Sequence, residues 1–105
     1  YNALSDFRLK TNIHSLSGSL EIVNQLNGVS FTWKSDTTNK PVLGLIAQEV
    51  ESVIPEVVDT GETPDGTEQK GLAYGHLTAV LTKALQEAIA KIETLETKVA
   101  ALEAG

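Results

Sequence analysis

The last third of the chain carries its clearest hydrophobic pattern, since neither Gly nor Pro interrupts positions 76–104. Apolar residues recur there at alternating spacings of three and four, which is the heptad pattern of a coiled coil. The positions that form this predicted seam are Leu81, Leu85, Ala88, Ile92, Leu95, Val99 and Leu102. Charged residues occupy the g and e positions that pair between parallel chains, namely Lys91, Lys98, Glu96 and Glu103. The pattern predicts one helix of roughly 40 Å.

Two arrangements would cover this helix. Leu77, Val80 and Ile89 widen the apolar face of its first half, as expected if it folds back on the chain's own sheet. Its second half has only a narrow seam, which favours oligomerisation. The mixture of Leu, Ile and Val at the a positions does not select between two and three strands, so the stoichiometry does not follow from this pattern.

Shorter elements precede the long helix. Leu20, Val23 and Leu26 predict a short amphipathic helix, with Ser17 or Ser19 as its N-cap. Residues 29–34 alternate and predict a half-buried strand that places Trp33 in the core. Residues 42–46 predict a second strand that returns alongside it. These elements indicate an α+β fold with a small antiparallel sheet, short helices and a long C-terminal helix.

A second hairpin is expected between the two sheet strands and the long helix. From Ala47 the apolar spacing becomes helical, and Pro55 ends that helix. A short strand at positions 57–58 then leads into an acidic loop at 59–69, with its turn at positions 64–66. Residues 71–74 pair back with that strand. The predicted hairpin therefore has a long polar tip.

Composition narrows the classes of function. The net charge is −6 and the basic residues are scattered, so nucleic acid is not an expected partner. The absence of Cys excludes disulfides, zinc–thiolate sites and a cysteine nucleophile. No apolar run is long enough to span a bilayer and no signal peptide is visible, so no membrane partner is expected. Neither a metal nor a cofactor is expected, because the histidines have no partner motif and the acidic loop lacks calcium-loop spacing. These residues are His14, His76, Asp59, Glu62, Asp65 and Glu68.

A candidate nucleophile and base lie near the start of the chain. Ser5 and Lys10 have the residue types of a Ser–Lys dyad, in which a neutral amine accepts the serine proton. A lysine in that role has to be desolvated or lie near another cation, for which Arg8 is a candidate. Five-residue spacing places the pair on opposite faces of a strand, or roughly 140° apart on a helix. Either the segment bends, or Lys10 comes from a neighbouring protomer.

Five ordered segments of the chain resemble one family. The similarity begins at Ser5 and continues to the final helix, through Ser5-Asp6-Phe7-Arg8-Leu9-Lys10-Thr11-Asn12-Ile13, Val29-Ser30-Phe31-Thr32-Trp33-Lys34, Gly44-Leu45-Ile46-Ala47-Gln48-Glu49-Val50-Glu51, Pro55-Glu56-Val57-Val58 and Lys70-Gly71-Leu72-Ala73-Tyr74. Together they resemble the C-terminal intramolecular chaperone domain of phage tailspikes and tail fibres. This domain is also called the endosialidase-type chaperone, and it is a self-cleaving serine peptidase.

The resemblance implies a function and a domain organisation. Three chains would meet in a parallel trimeric coiled coil, template folding of the preceding fibre or β-helical region, and then cleave the Leu4–Ser5 bond. Ser5 and Lys10 would be catalytic, with Asp6 and Arg8 as supporting motif residues. Residues 1–4 would be a remnant of the upstream fibre, 5–75 the α+β chaperone domain and 76–105 the coiled coil. The implied location is a virion tail fibre or spike precursor, assembled in the bacterial host cytoplasm, from which the domain is released after cleavage.

One position departs from the family pattern, and two alternatives stay open. Leu43 stands where some relatives carry a histidine linked to processing. A trimeric assembly module without peptidase activity would share the helix and the fold. A membrane-associated transcription factor that uses this domain to release itself is the third interpretation. The intact mass of the domain expressed with its upstream region separates the first two.

Overall fold

The computed structural model describes residues 3–105, so Tyr1 and Asn2 of the predicted remnant 1–4 lie outside the described residues. The helices are α1 (Ser19–Asn24), α2 (Ala47–Glu51) and α3 (Tyr74–Ala104). The strands are β1 (Val29–Phe31), β2 (Val42–Gly44), β3 (Val58–Glu62) and β4 (Glu68–Leu72). Two 3₁₀ turns, Phe7–Leu9 and Pro55–Val57, complete the elements. The α+β class with a long C-terminal helix is confirmed.

The strands form two antiparallel hairpins. Strand β1 pairs with β2, with Ser30 opposite Leu43, and strand β3 pairs with β4, with Thr60 opposite Lys70. The expectation of an acidic loop over positions 59–69 is wrong for most of its length, because cross-strand pairing continues to Glu62 and resumes at Glu68. Only positions 63–67 form the turn. The regular backbone ladder therefore outweighs the low strand propensity of Asp and Gly in this segment.

The core lies where α2, the turn Pro55–Val57 and the first half of α3 meet. Its most buried side chains are Val50, Ile54, Val57, Leu77 and Val80. Partly buried residues from α1, from the second hairpin and from the segments that follow α1 and β2 pack against them, including Ile22, Val23, Leu26, Leu45 and Leu72. Helix α3 therefore supplies an essential wall of the domain core.

A second face of α3 is uncovered within the chain. The inward face consists of Leu77, Val80 and Ala84, so the first half of the helix does pack on its own domain. The predicted seam lies elsewhere on the helix. Six of its residues are 49–81% exposed and Ala88 is partly buried; the six are Leu81, Leu85, Ile92, Leu95, Val99 and Leu102. The coiled coil stays a prediction, and the uncovered seam is the surface that it needs.

Two local expectations are wrong. Gly18, at φ +70°, occupies the N-cap position of α1, and neither Ser17 nor Ser19 caps the helix. Ser19 is instead its first residue and is buried. Trp33 was expected in the core but is 60% exposed, because β1 ends at Phe31. The indole packs edge-on against the Phe31 ring, with the ring centroids 4.9 Å apart.

Candidate functional site

The Ser5 and Lys10 side chains meet within one chain. Lys10 Nζ donates a hydrogen bond to Ser5 Oγ at 2.8 Å. The backbone is extended at Asp6 (ψ 127°) and again at Lys10 (φ −112°, ψ 149°), with the 3₁₀ turn Phe7–Leu9 between them. This bend between two extended residues overcomes the unfavourable five-residue spacing. Of the two arrangements considered from the sequence, the bent segment therefore describes this chain.

Asp6 and Arg8 form a compact ion pair inside that turn. Arg8 Nη2 lies 2.7 Å from Asp6 Oδ2, and Arg8 Nε donates to the two carboxylate oxygens at 3.1 and 3.2 Å. The Arg8 side-chain and backbone hydrogen bonds lower the pKa of the Asp6 carboxyl, and Asp6 raises the pKa of the Arg8 guanidinium. The sequence made Arg8 a candidate cation beside Lys10. In the structure its charge is matched by Asp6 instead.

The N-terminal arm, defined as residues 3–17, is open to water. Ser5 and Lys10 are both exposed, as is the Leu4 side chain on the other side of the candidate scissile bond. The apolar side chains along the arm are also uncovered: Leu4, Phe7, Leu9, Ile13 and Leu16 are 46–87% exposed. The single chain thus brings a hydroxyl and an amine together but does not exclude water from them.

Leu43 and the apolar grooves lie on the domain rather than on the arm. Leu43, at the middle of β2, is 84% exposed. Two mainly apolar grooves of the domain both include Leu43 and Tyr74 in their walls. Neither Ser5 nor Lys10 lines them. The candidate dyad therefore lies outside both of these grooves.

Gly44 and Tyr74, which belong to two of the ordered segments, lie where the end of β2 contacts the start of α3. Tyr74 Oη accepts a hydrogen bond from the Leu45 N–H at 3.2 Å. A Cβ on Gly44 would lie 2.9 Å from the same hydroxyl, so only glycine fits this close approach without displacement. Alternation and turn rules give no signal for this contact, which joins residues 29 positions apart.

Lys70, in the last ordered segment, ties the second hairpin to α2. Its ammonium lies 3.1 Å from Glu51 and 3.4 Å from Glu68. The hydrogen bond with Glu51 is the main cause that raises the pKa of Lys70. Lys70 therefore has a structural role, which is to anchor β4 to α2.

The described residues 3–105 contain no cluster of three or more His, Asp or Glu side chains able to hold a metal ion. No helix in this part of the chain is both long and apolar enough to cross a membrane. The groups that the arm itself offers for chemistry are the Ser5 hydroxyl, the Lys10 amine and the peptide carbonyl before Ser5.

The sequence that forms this turn and most of the α+β domain matches one protein family. The family described as chaperone of endosialidase matches residues 5–59. Because this match covers more than half of the 105 residues, the chain belongs to that family. The predicted family is confirmed.

The chain is similar in sequence to curated tail fibre proteins of several phages. It is 35% identical over 98 residues to the long tail fiber protein Gp37 of Enterobacteria phage M1, covering 89% of the chain and 39% of that protein. Gp37 of Salmonella phage S16 is 31% identical over 102 residues, covering 90% and 13%. Gp37 of Enterobacteria phage K3 is 29% identical over 97 residues, covering 90% and 8%. The chain thus spans 8–39% of the length of these relatives.

Proposed function

We propose that this chain is an intramolecular chaperone that trimerises, assists folding of the tail-fibre or spike segment preceding it, and then cuts the Leu4–Ser5 bond. Membership of the chaperone-of-endosialidase family and similarity to tail fibre proteins support the chaperone role. The observation that carries the cleavage step is the 2.8 Å contact between Lys10 Nζ and Ser5 Oγ. A nucleophile within hydrogen-bond reach of its base is the arrangement that self-cleavage needs.

The proposed reaction uses one serine, one lysine and one water. Neutral Lys10 Nζ takes the hydroxyl proton as Ser5 Oγ attacks the carbonyl carbon of Leu4. The Leu4–Ser5 C–N bond then breaks, the Lys10 proton passes to the departing Ser5 nitrogen, and an ester joins the Leu4 acyl group to Oγ. Water hydrolyses that ester, which yields a Leu4 carboxylate and restores the Ser5 hydroxyl. The reaction occurs once per chain.

Assembly supplies what the single chain lacks. The exposed apolar side chains of the N-terminal arm and the uncovered seam of α3 both require a cover, and neighbouring chains of a homotrimer are the proposed cover. Shielding from water would disfavour the charged form of Lys10 and so favour the neutral amine that the reaction needs. Cleavage would then follow assembly.

The proposed organisation keeps the three expected segments. Residues 1–4 belong to the upstream fibre, residues 5–75 to the chaperone domain and residues 76–105 to the trimeric coiled coil. Helix α3 begins at Tyr74, two positions before the expected start of the coiled coil. We place the reaction in a virion fibre precursor assembled in the host cytoplasm, with release of the domain after cleavage.

A trimeric assembly module that does not cleave is the second candidate. It is favoured by the exposure of Ser5 and Lys10 to water and by the absence of both residues from the walls of the two apolar grooves that include Leu43 and Tyr74. In that case the uncovered seam of α3 would be the functional surface, and the contact between Lys10 and Ser5 would only stabilise the turn.

The deciding experiment expresses the chain with its upstream region and measures intact mass and oligomeric state. Ser5→Ala and Lys10→Ala are compared with Ser15→Ala and Lys34→Ala, which alter exposed residues of the same types elsewhere. We expect wild type and both controls to lose everything before Ser5, whereas the two dyad variants stay full length and trimeric. A Ser5→Ala protein that still yields the same fragment would refute the mechanism. An uncleaved wild-type trimer would support the assembly module.

A further inference from the structure

The turn between Ser5 and Lys10 is closed at its start by Asp6. Asp6 Oδ1 accepts the Arg8 backbone N–H at 2.9 Å, and the Asp6 carbonyl accepts the Leu9 N–H at 3.0 Å. The Lys10 N–H then donates to the Phe7 carbonyl at 3.1 Å. These three bonds bend the chain within the five residues from Asp6 to Lys10. The side-chain cap therefore acts on the same turn that brings Lys10 back to Ser5.

Apolar packing does not account for this turn. Phe7 and Leu9 are 74% and 70% exposed, and the turn contains no buried residue. A single helical turn is unfavourable by itself, because it fixes several dihedral angles for one hydrogen bond. Besides the bond between Lys10 and Ser5, the polar interactions of Asp6 and Arg8 are the stabilising side-chain contacts that the chain itself provides here.

Arg8 also determines what the Asp6 carboxylate can bind. The guanidinium contacts both carboxylate oxygens, through Nη2 to Oδ2 and through Nε to both. Asp6 is the anion nearest to Lys10 in the sequence, and an ion pair between them would draw the amine away from Ser5. By occupying Asp6, Arg8 leaves Lys10 Nζ to contact Ser5 Oγ.

We propose that Asp6 and Arg8 are positioning residues for the Ser5–Lys10 dyad. Asp6 holds the turn that returns Lys10 to Ser5, and Arg8 holds Asp6 in its capping position and away from Lys10. This inference rests on the proposed self-cleavage for its functional meaning. Its structural content, the approach of residues 5 and 10, is measurable without cleavage.

The first test uses a thiol as a probe of that approach. Because the chain has no Cys, Ser5→Cys introduces a single thiol whose pKa follows from the pH dependence of its alkylation. A nearby ammonium lowers a thiol pKa, so adding Lys10→Gln should raise it by about one unit. Alkylation is measured by mass on uncleaved chains, so any cleavage by the thiol does not confuse the result.

Adding Asp6→Ala to Ser5→Cys separates positioning from simple charge. Removing a nearby negative charge would lower the thiol pKa if Asp6 acted only through its field. Loss of the turn would instead raise the pKa toward that of the Lys10→Gln variant, which is the result we expect. Glu56→Ala, which removes an exposed carboxylate from another part of the chain, is the matched control and should leave the thiol pKa unchanged.

The second test measures the rate of cleavage with Ser5 intact. We expect Asp6→Ala to slow cleavage by about tenfold or more, the range over which a misplaced group typically reduces rate. Asp6→Asn keeps a side-chain acceptor for the Arg8 N–H and should restore part of the rate. Arg8→Lys keeps the charge but loses the two-pronged contact, so it should fall between wild type and Asp6→Ala.

The outcomes of the two tests are separable. A thiol pKa that falls on Asp6→Ala overturns the positioning role, whether or not the protein cleaves itself. A rise in the thiol pKa together with cleavage in Ser5→Ala upholds the positioning of the two side chains and overturns the proposed peptidase mechanism. Equal cleavage rates for wild type and Asp6→Ala in trimers of equal size would also refute the positioning role.

Discussion

Glu87 of the long helix caps the first helix by contacting Leu20. Its Oε1 accepts the Leu20 N–H at 2.7 Å, and its Oε2 accepts the Gly18 N–H at 3.0 Å. Helix α1 has six residues and receives no cap from its own N-cap side chain. A carboxylate at the start of a helix satisfies free N–H groups and interacts favourably with the helix dipole. This contact fixes α1 against α3.

Replacing Glu87 should therefore destabilise the domain. We expect Glu87→Ala to lower the free energy of unfolding by about 1–3 kcal/mol, since two charge-assisted hydrogen bonds are lost. Glu87→Gln keeps an oxygen acceptor and should cost less. Urea denaturation at one fixed protein concentration measures both. Glu93→Ala, at an exposed position of the same helix, is the control, and an equal loss in the control would contradict the capping role.

A side chain at position 44 should destabilise the domain while Tyr74 keeps its hydroxyl. An added Cβ would lie 2.9 Å from Tyr74 Oη and 3.1 Å from Phe31 Cε1. Gly44→Ala should cost about 1–2 kcal/mol, because the tyrosine has to move and release the Leu45 N–H. Thermal or urea unfolding reports the loss.

A double-mutant cycle tests the cause of that loss. In a Tyr74→Phe background the closest contact is gone, so Gly44→Ala should cost less than it does in wild type. Gly61→Ala is the control, because a Cβ there meets nothing within 4 Å. Strict additivity of Gly44→Ala and Tyr74→Phe would show that the hydroxyl is not the obstacle.

The turn of the second hairpin should weaken in acid. Hydrogen bonds from the Thr63 hydroxyl and from Thr67 lower the pKa of Asp65 from 3.8 to about 2. A carboxyl whose pKa is lower in the folded state stabilises that state above the unfolded pKa. The stabilisation is therefore complete above pH 3.8 and is lost as the pH falls from 3.8 toward about 2.

Carbon NMR of the Asp65 carboxyl should show a titration midpoint near 2. Asp65→Asn should remove this contribution to the pH dependence of unfolding, and Glu56→Gln should not. A midpoint at the ordinary aspartate value would mean that the turn does not hold the carboxylate.

The seam of α3 should govern the oligomeric state. Ile92 occupies an a position and is 55% exposed in one chain. Each isoleucine buried in a coiled coil contributes about 1.5–3 kcal/mol, so Ile92→Lys in every chain should raise the dissociation concentration by roughly a hundredfold or more. Light scattering over a dilution series measures this. Thr94→Lys, at an exposed c position, should leave the assembly intact, and equal masses for both variants would exclude this seam.

Elements with strong local signals were predictable from the sequence. The uninterrupted heptads gave α3 to within two residues of its start, and alternation at Val29 and Phe31 gave the half-buried face of β1. The failures depended on distant contacts or on where a strand stops. Trp33 follows the alternation, but pairing with β2 ends at Phe31, and the cap of α1 comes from Glu87 rather than from a nearby serine.

The candidate site was also predictable only in part. Residue types and resemblance singled out Ser5 and Lys10, while regular strand and helix geometry could not bring them together. The solution is an irregular bend fixed by Asp6 and Arg8, whose mutual pairing the sequence did not predict. Short-range hydrogen bonds of this kind leave no periodic trace in the chain.

The contact between Leu20 and Glu87 also orders events during synthesis. The two residues lie 67 positions apart, and the core requires Leu77 and Val80 from the same late helix. A ribosome makes the chain from its N-terminus, so the residues of α1 and both hairpins are synthesised before those of α3, which completes their core. The bend from Ser5 to Lys10 needs only six neighbouring residues and is available early. The contact between Ser5 and Lys10 can therefore form before the domain has folded. The domain core is completed only when α3 has been synthesised.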